Sequence, residues 1–413
     1  MLAQIFQITY TKGMALTFED VLKAQKRIAD AVHKTSQYYS ETFSKFSGNS
    51  IYLKTENLQK TGSFKARGAY NMIAKQCEIN CHASVITASA GNHAQGVAYS
   101  ASKKEIESTI VMPTASPIAK IMATSGYGAN VILHGDSFDD AYSHALELAK
   151  TSGASFIPPF NNEDIIAGQA TVALEMLADK PDLDMIIVPV GGGGLLAGVA
   201  FIAKHIKPSI KIIGVQANKA DAFAKSFVSK KLVALDNIYT IADGIAVKKP
   251  GNITLEYILK YADDVLTVSD DEIAETVILL MERAKLFVEA SGATSVALAC
   301  SGRLKIKNKN IGCILSGGNI DVGLVHKIIE RGLRVRGRKM KLSIVLLDKP
   351  GSLEQFTAIM AKNNANIISV QYDRANTELT LNETILHIEF EPIGLSEGKK
   401  LIEKLKCTGY KII

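Results

Sequence analysis

Two periods of apolar residues alternate along most of the chain. Short runs rich in Ile and Val stop at glycine or a small polar residue: SVITA (84–88), STIVMP (108–113), NVILHG (130–135), MIIVPV (185–190), KIIGVQ (211–216) and IGCILSGG (311–318). They read as buried strands. Between them lie stretches with helical apolar spacing, among them FEDVLKAQKRIADAV (18–32), SFDDAYSHALELAKTSG (137–153) and NNEDIIAGQATVALEMLA (161–178). Thr17 and Asp20 outline a capping box before the first. Strand and helix in turn, joined by short loops, predict an α/β fold with parallel sheets.

From residue 341 the pattern changes. KLSIVLLDKPGSLEQFTAIMAKNNANIISVQYDRA (341–375) reads as strand, Pro-Gly corner, helix and strand. ETILHIEF (383–390) alternates with Leu386, Ile388 and Phe390 on one face, and a helix from about Ser396 and YKII (410–413) follow. The order βαββαβ predicts a separate ferredoxin-like domain. The division expected is an extension at 1–13, a main domain at 14–332 with a smaller subdomain at about 60–153 inserted, a basic linker at 333–340, and the small domain at 341–413.

Bulk properties exclude more than they assign. A length of 413 residues, 47% hydrophobic and 21% charged, fits a globular protein of two or three domains. The run 185–203 is apolar and uncharged, but Pro189 and five glycines inside it argue for buried core over a membrane span. Net charge is +6, and Arg331, Arg334, Arg336, Arg338, Lys339 and Lys341 crowd eleven positions. No aromatic residue is interleaved, so a solvated linker is preferred to a nucleic-acid patch. Cys77, Cys81, Cys300, Cys313 and Cys407 form no CxxC pair, and the histidines form no HxH or HxxxH pair. Neither a disulfide framework nor a metal site is expected, and a reducing cytoplasm is.

Four stretches carry candidate chemistry. Gly191, Gly192, Gly193 and Gly194 join a strand to a helix, so bare N–H groups and a helix dipole converge on one spot suited to a phosphate. A tight turn needing glycine is the plainer alternative. Gly192, Gly194 and Ala197 also fit G-x-G-x-x-A, but the next strand ends in Gln216 where a dinucleotide site wants an acid. In TGSFKARGAYNMIAK (61–75), Lys65 falls in a first helical turn, where the dipole disfavours a cation. It is either a solvated lysine or one held as an imine and near-neutral when released. The loop Ser89, Ala90, Gly91, Asn92 before His93 is either a carboxylate cradle or an ordinary turn with an Asn cap. Ser316 closes the strand 311–315. All four stretches lie at or after strand ends, where open sheets bind ligands.

SFKARGA, SAGNHAQG, GGGGL and SGGN, in this order and spacing, resemble the fold-type-II pyridoxal-phosphate enzymes (tryptophan synthase β-like), most closely the threonine dehydratase family. The resemblance spans about 17–332. The tail, with LSIVLLDKPGSL, resembles an ACT domain, an amino-acid-sensing module. The resemblance implies that pyridoxal 5'-phosphate bonds covalently to Lys65, that Asn92 meets its ring hydroxyl, and that Gly191 to Gly194 with Leu195 hold its phosphate. It implies that Ser316 faces the pyridine nitrogen, that Phe64 packs on the ring, and that Ser89, Ala90, Gly91, Asn92 and His93 receive the substrate carboxylate. The implied reaction is β-elimination from L-threonine, more weakly L-serine, with Lys65 as general base, giving 2-oxobutanoate and ammonia for isoleucine synthesis. Serine racemases of this family carry a second serine where Ala90 stands, so racemisation is not expected. Serine or hydroxyaspartate dehydration and a non-catalytic amino-acid sensor are the alternatives. Isoleucine or valine is expected at Asp348, Pro350, Gly351, Ser352 and Leu353, unless the tail serves only oligomer contacts. A homo-oligomer is expected, with neither nucleic acid nor membrane as partner.

Overall fold

A computed structural model describes residues 16–80, 84–375 and 379–413. The extension at 1–13 and Cys81 lie outside them. The chain separates into two compact units between Asp321 and Val322.

The first unit holds two sheets. The larger runs in the order Gln37–Tyr39, Ser50–Lys54, Asn310–Ile314, Met185–Pro189, Lys211–Ala217, Asp264–Val268, parallel throughout except the antiparallel edge strand Gln37–Tyr39. The smaller is wholly parallel, in the order Asn130–Leu133, Ser108–Met112, Val85–Ala88, Ser155–Phe156. Met185–Pro189 is buried at every position, as a parallel strand covered on both faces must be. The first helix, Phe18–Ile28, opens on the expected Thr17–Asp20 capping box. The short strands QYY and SF, and the helices Glu41–Ser47, Ala222–Ser229 and Asn252–Tyr261, were not expected from the pattern. They are too short, or too mixed in polarity, to show a period.

Glycine sets how closely three helices approach. A Cβ on Gly168, in Glu163–Asp179, would stand 2.6 Å from Gly68 Cα in the helix Lys65–Ile79. A Cβ on Gly198, in Gly194–Ile206, would stand 2.5 Å from Ile166 O. Beneath the helix Lys65–Ile79 lies a closed ion network. Arg67, with no exposed surface, donates to Glu56 at 2.8 Å and to Glu175 at 2.7 Å, and Lys54 reaches Glu175 at 2.6 Å. Two cations and two carboxylates balance there. Burial alone would raise the Glu56 carboxyl, yet the guanidinium beside it holds it below its ordinary value. The network ties strand Ser50–Lys54 to two helices and so fixes where Lys65 begins its helix.

The second unit opens with the helix Val322–Val335, then an antiparallel sheet in the order Asn366–Asp373, Glu383–Glu391, Met340–Leu347, Lys411–Ile412. Helices Ser352–Lys362 and Leu395–Cys407 complete βαββαβ, around a core that includes Ile344, Phe356, Leu386, Phe390 and Leu405. The stretch expected as a linker, 333–340, holds the end of that first helix, a turn and the first strand residue. Its charges are answered locally. Arg334 and Lys341 each reach Glu389 at 3.0 Å, and Lys339 reaches Glu330 at 3.0 Å.

Candidate active site

Lys65 is the first residue of its helix, and the backbone of Gly96 packs against it, so that a Cβ there would stand 3.2 Å from the Lys65 carbonyl carbon. Its ammonium donates to Pro159 O at 2.7 Å and lies 5.4 Å from the centre of the Phe64 ring. Among the described residues no carboxylate meets it directly. Burial lowers its pKa to about 8, against the pull of Glu289, which raises it. The residue after Pro159 leads to the glycine loop. A Cβ on Gly192 would fall 2.2 Å from the Phe160 ring, and one on Gly194 would stand 3.1 Å from Phe160 Cβ.

The loop itself follows the strand Met185–Pro189. Gly193 holds φ +94 and caps the helix Gly194–Ile206, a conformation only glycine adopts without strain. A Cβ on Gly191 would stand 3.1 Å from Ile245 Cα, and one on Gly193 2.5 Å from Phe223. The Gly192 carbonyl accepts from the Thr254 hydroxyl at 2.7 Å, so the carbonyl is tied back. The first-turn N–H groups, Leu195 among them, have no partner within the helix. The result is a loop packed so closely on Ile245, Phe160 and Phe223 that only glycine fits, with first-turn N–H groups left to donate, which fits a phosphate.

The loop at 89–92 follows strand Val85–Ala88 and opens the helix Asn92–Lys103. Ser89 Oγ accepts from Gly91 N at 3.2 Å, and Gly91 faces open space. His93 is buried and donates through Nε2 to Ile157 O at 3.0 Å. Burial and the nearby Lys65 push its pKa down to about 3, so it stays neutral. Asn92 donates to both carboxylate oxygens of Glu289, at 2.9 and 3.0 Å. Ser316 is buried, and its carbonyl accepts from Phe64 N at 3.1 Å, directly beside Lys65. Ser63 pairs with Gly317 in an isolated bridge.

The four stretches of the first unit therefore meet around one amine. Lys65 touches the glycine loop through 159–160, SGGN through Phe64, and SAGNHAQG through Gly96. Enclosed hydroxyls of Thr61, Ser63 and Ser291 have no partner among the described residues, as a site shaped for a polar guest would leave them. The residues present fit a phosphate-bearing aldehyde that bonds to an amine. In the second unit, Gly351 has φ +88, precedes the helix Ser352–Lys362, and faces open space. Asp348 pairs with Arg374 at 2.8 Å nearby, while Pro350 and Leu353 flank the corner.

Sequence reasoning missed Glu289, Pro159, Phe160 and Thr254. Glu289 had a signal: it is a lone acid in the apolar run LFVEASGATSVALA (286–299). A solitary charge in such a run is buried with a purpose or not at all.

Residues 28–317 match the family of pyridoxal-phosphate dependent enzymes. Over 397 residues the chain is 42% identical to an L-threonine ammonia-lyase of Thermotoga maritima, covering 96% of this chain and 99% of that protein. Among solved structures, the processed form of threonine deaminase isoform 2 from Solanum lycopersicum aligns with a TM-score of 0.72 at 37% identity, covering 76% of this chain and 89% of that one. Maize serine racemase aligns with a TM-score of 0.73 at 36% identity, covering 78% and 99%.

Proposed function

The chain belongs to the pyridoxal-phosphate-dependent enzymes of fold type II, close to threonine ammonia-lyase, and we propose that its own residues divide the work as follows. The reaction removes water and then ammonia from L-threonine, leaving 2-oxobutanoate. The bound cofactor supplies an electron sink for charge that develops at the substrate's α-carbon. Lys65 would hold the cofactor covalently, and Asn92 and Ser316 would meet its ring. Gly191 to Gly194 and Leu195 would hold its phosphate through N–H groups, and Phe64 would pack beside it. The loop from Ser89 to His93 receives the substrate carboxylate at a helix N-terminus.

One observation carries the assignment of the base. The Lys65 amine is enclosed with a neutral carbonyl for hydrogen-bond partner, and its pKa of about 8 leaves a usable fraction neutral near pH 7. With the cofactor bound, the free Lys65 amine would be the group placed to take the substrate's α-proton. Neutral His93 holds the strand Ser155–Phe156 side of the site and carries no proton in the reaction. Ser316, a hydroxyl, cannot hold a ring nitrogen protonated as a carboxylate would. A ring less hungry for electrons favours elimination over transamination. Ala90 offers no proton on the opposite face, so serine is deaminated and not racemised.

Turnover of threonine, serine and hydroxyaspartate on the holoenzyme tests the reading. Threonine is expected to be fastest, by the ~1–3 kcal/mol that a methyl pocket supplies. Preference for hydroxyaspartate, or rapid formation of D-serine, would overturn it. For the tail, we propose that isoleucine or valine binds at Asp348, Pro350, Gly351, Ser352 and Leu353, on a homo-oligomer in the cytoplasm. The open space over Gly351 supports a ligand there. No described helix is long and apolar enough to cross a membrane.

A further inference from the structure

Behind Asn92 stands a carboxylate that belongs to none of the four motifs. Glu289 precedes the helix Ala290–Cys300, and its side chain makes no cap bond there. It is buried, and both its oxygens turn to Asn92 Nδ2, at 2.9 and 3.0 Å. At the other end of the amide, Asn92 Oδ1 accepts from Asn319 Nδ2 at 2.8 Å, and Asn319 is itself held by Thr61 O at 2.7 Å. An ionised carboxylate only accepts, so it fixes which end of the amide is nitrogen. The two carboxylate oxygens are too close together to meet both diverging N–H bonds, so they share one. The second N–H of Asn92 is left to donate.

The surroundings make room for this pair. A Cβ on Gly317 would stand 2.5 Å from Glu289 Oε1 and 3.0 Å from Asn92 Nδ2, and one on Gly244 3.0 Å from Glu289 Oε1. Glu289 N donates to Gly317 O at 3.0 Å, which ties the acid's backbone to SGGN. Two glycines therefore let the carboxylate and the amide close on each other.

We propose that Glu289 is a positioning residue: its carboxylate locks the Asn92 amide so that the remaining N–H is aimed at the ring oxygen of the bound cofactor. The inference rests on the assignment of Asn92 made above. It also gives the site a pH dependence. Burial raises the Glu289 carboxyl to about 7, against the hydrogen bond from Asn92; Asp243 raises it further, while Lys120 and Lys65 oppose. Lys120 and Asp243 are themselves paired at 2.7 Å. Once protonated, the acid becomes a donor and its hold on the amide weakens.

The test is cofactor retention by equilibrium dialysis against pyridoxal 5'-phosphate, with the absorption spectrum followed from acid to alkaline pH. Glu289→Ala is expected to weaken retention about tenfold, the scale of one charge-assisted hydrogen bond. Because Glu289 acts through Asn92, the double variant Glu289→Ala with Asn92→Ala is expected to lose no more than Asn92→Ala alone. Glu289→Gln keeps an oxygen for Asn92 but cannot titrate. It is expected to hold the amide, and so the cofactor, no better at any pH than the protonated acid does, and to lose the spectral transition near pH 7 shown by the unaltered protein. Losses that add in the double variant, or an unchanged transition in Glu289→Gln, would overturn the proposal. If Glu289→Ala does not fold, Glu289→Gln decides it through the spectrum alone. Failure of the unaltered protein to take up cofactor at Lys65 would overturn the assignment of Asn92 as well, and is visible before any variant is made.

Discussion

Two cations stand two residues apart on one helix, and the protein treats them in opposite ways. Arg67 has no exposed surface and is met by Glu56 and Glu175, with Lys54 completing a neutral set. Lys65 keeps part of its surface open to the site and is met by one neutral carbonyl. The carboxylates hold the guanidinium charged, whereas burial pulls the amine's pKa down to about 8. A buried charge fully answered by its neighbours is architecture. A charge enclosed and left short of partners is one the protein keeps ready to give up.

The comparison is sharpened first at Lys65. Lys65→Ala is expected to lower threonine turnover at least about 10³-fold, as loss of a general base does. Its apoprotein is expected to unfold no more easily than the unaltered chain in a urea titration. Arg67→Met should behave in reverse. It leaves two carboxylates facing Lys54 alone, and breaking a buried pair costs about 3–5 kcal/mol. The same urea titration reads it, and a midpoint unchanged from the unaltered chain would break the contrast.

The third effect is smaller and concerns pH. The free amine acts as base only when neutral, so turnover should rise as the pH passes about 8 and then level off. The sign for stability follows from the same depression. In the apoprotein the enclosed ammonium weighs against folding in full below about pH 8, progressively less above it, and not at all beyond the ordinary lysine value of 10.5. The advantage of Lys65→Met over the unaltered apoprotein should follow that course in unfolding experiments across pH. The smallest effect is expected in the tail. Gly351→Ala forces a side chain onto a φ of +88, a strain of about 1 kcal/mol. Any response to the isoleucine or valine proposed for that corner should then need several-fold more of it, with turnover in its absence unchanged.

Most of the frame was legible because parallel strands buried on both faces leave long apolar runs, and amphipathic helices leave a period. MIIVPV and GGGGL announced the strand and the cradle together. KLSIVLL and ETILHIEF announced the antiparallel sheet. What escaped was short or non-local. QYY pairs at an edge and SF adds two residues, so neither has a pattern to read. The site's motifs were visible because each uses glycine, serine or lysine where the local rules disfavour it. Glu289 and Phe160 were not, because their meaning lies in partners far along the chain: Asn92 for one, Gly192 for the other. Arg67 was read as part of a motif, although its partners Glu56 and Glu175 show that it holds the helix and does not serve the chemistry.

The most direct measurement is chemical. The holoenzyme is reduced with borohydride, digested, and the peptide carrying the reduced cofactor is sequenced. A single label is expected on Lys65, in the peptide containing SFKARGA. A label on any other lysine, or a yellow protein that loses its cofactor on unfolding after reduction, would contradict it.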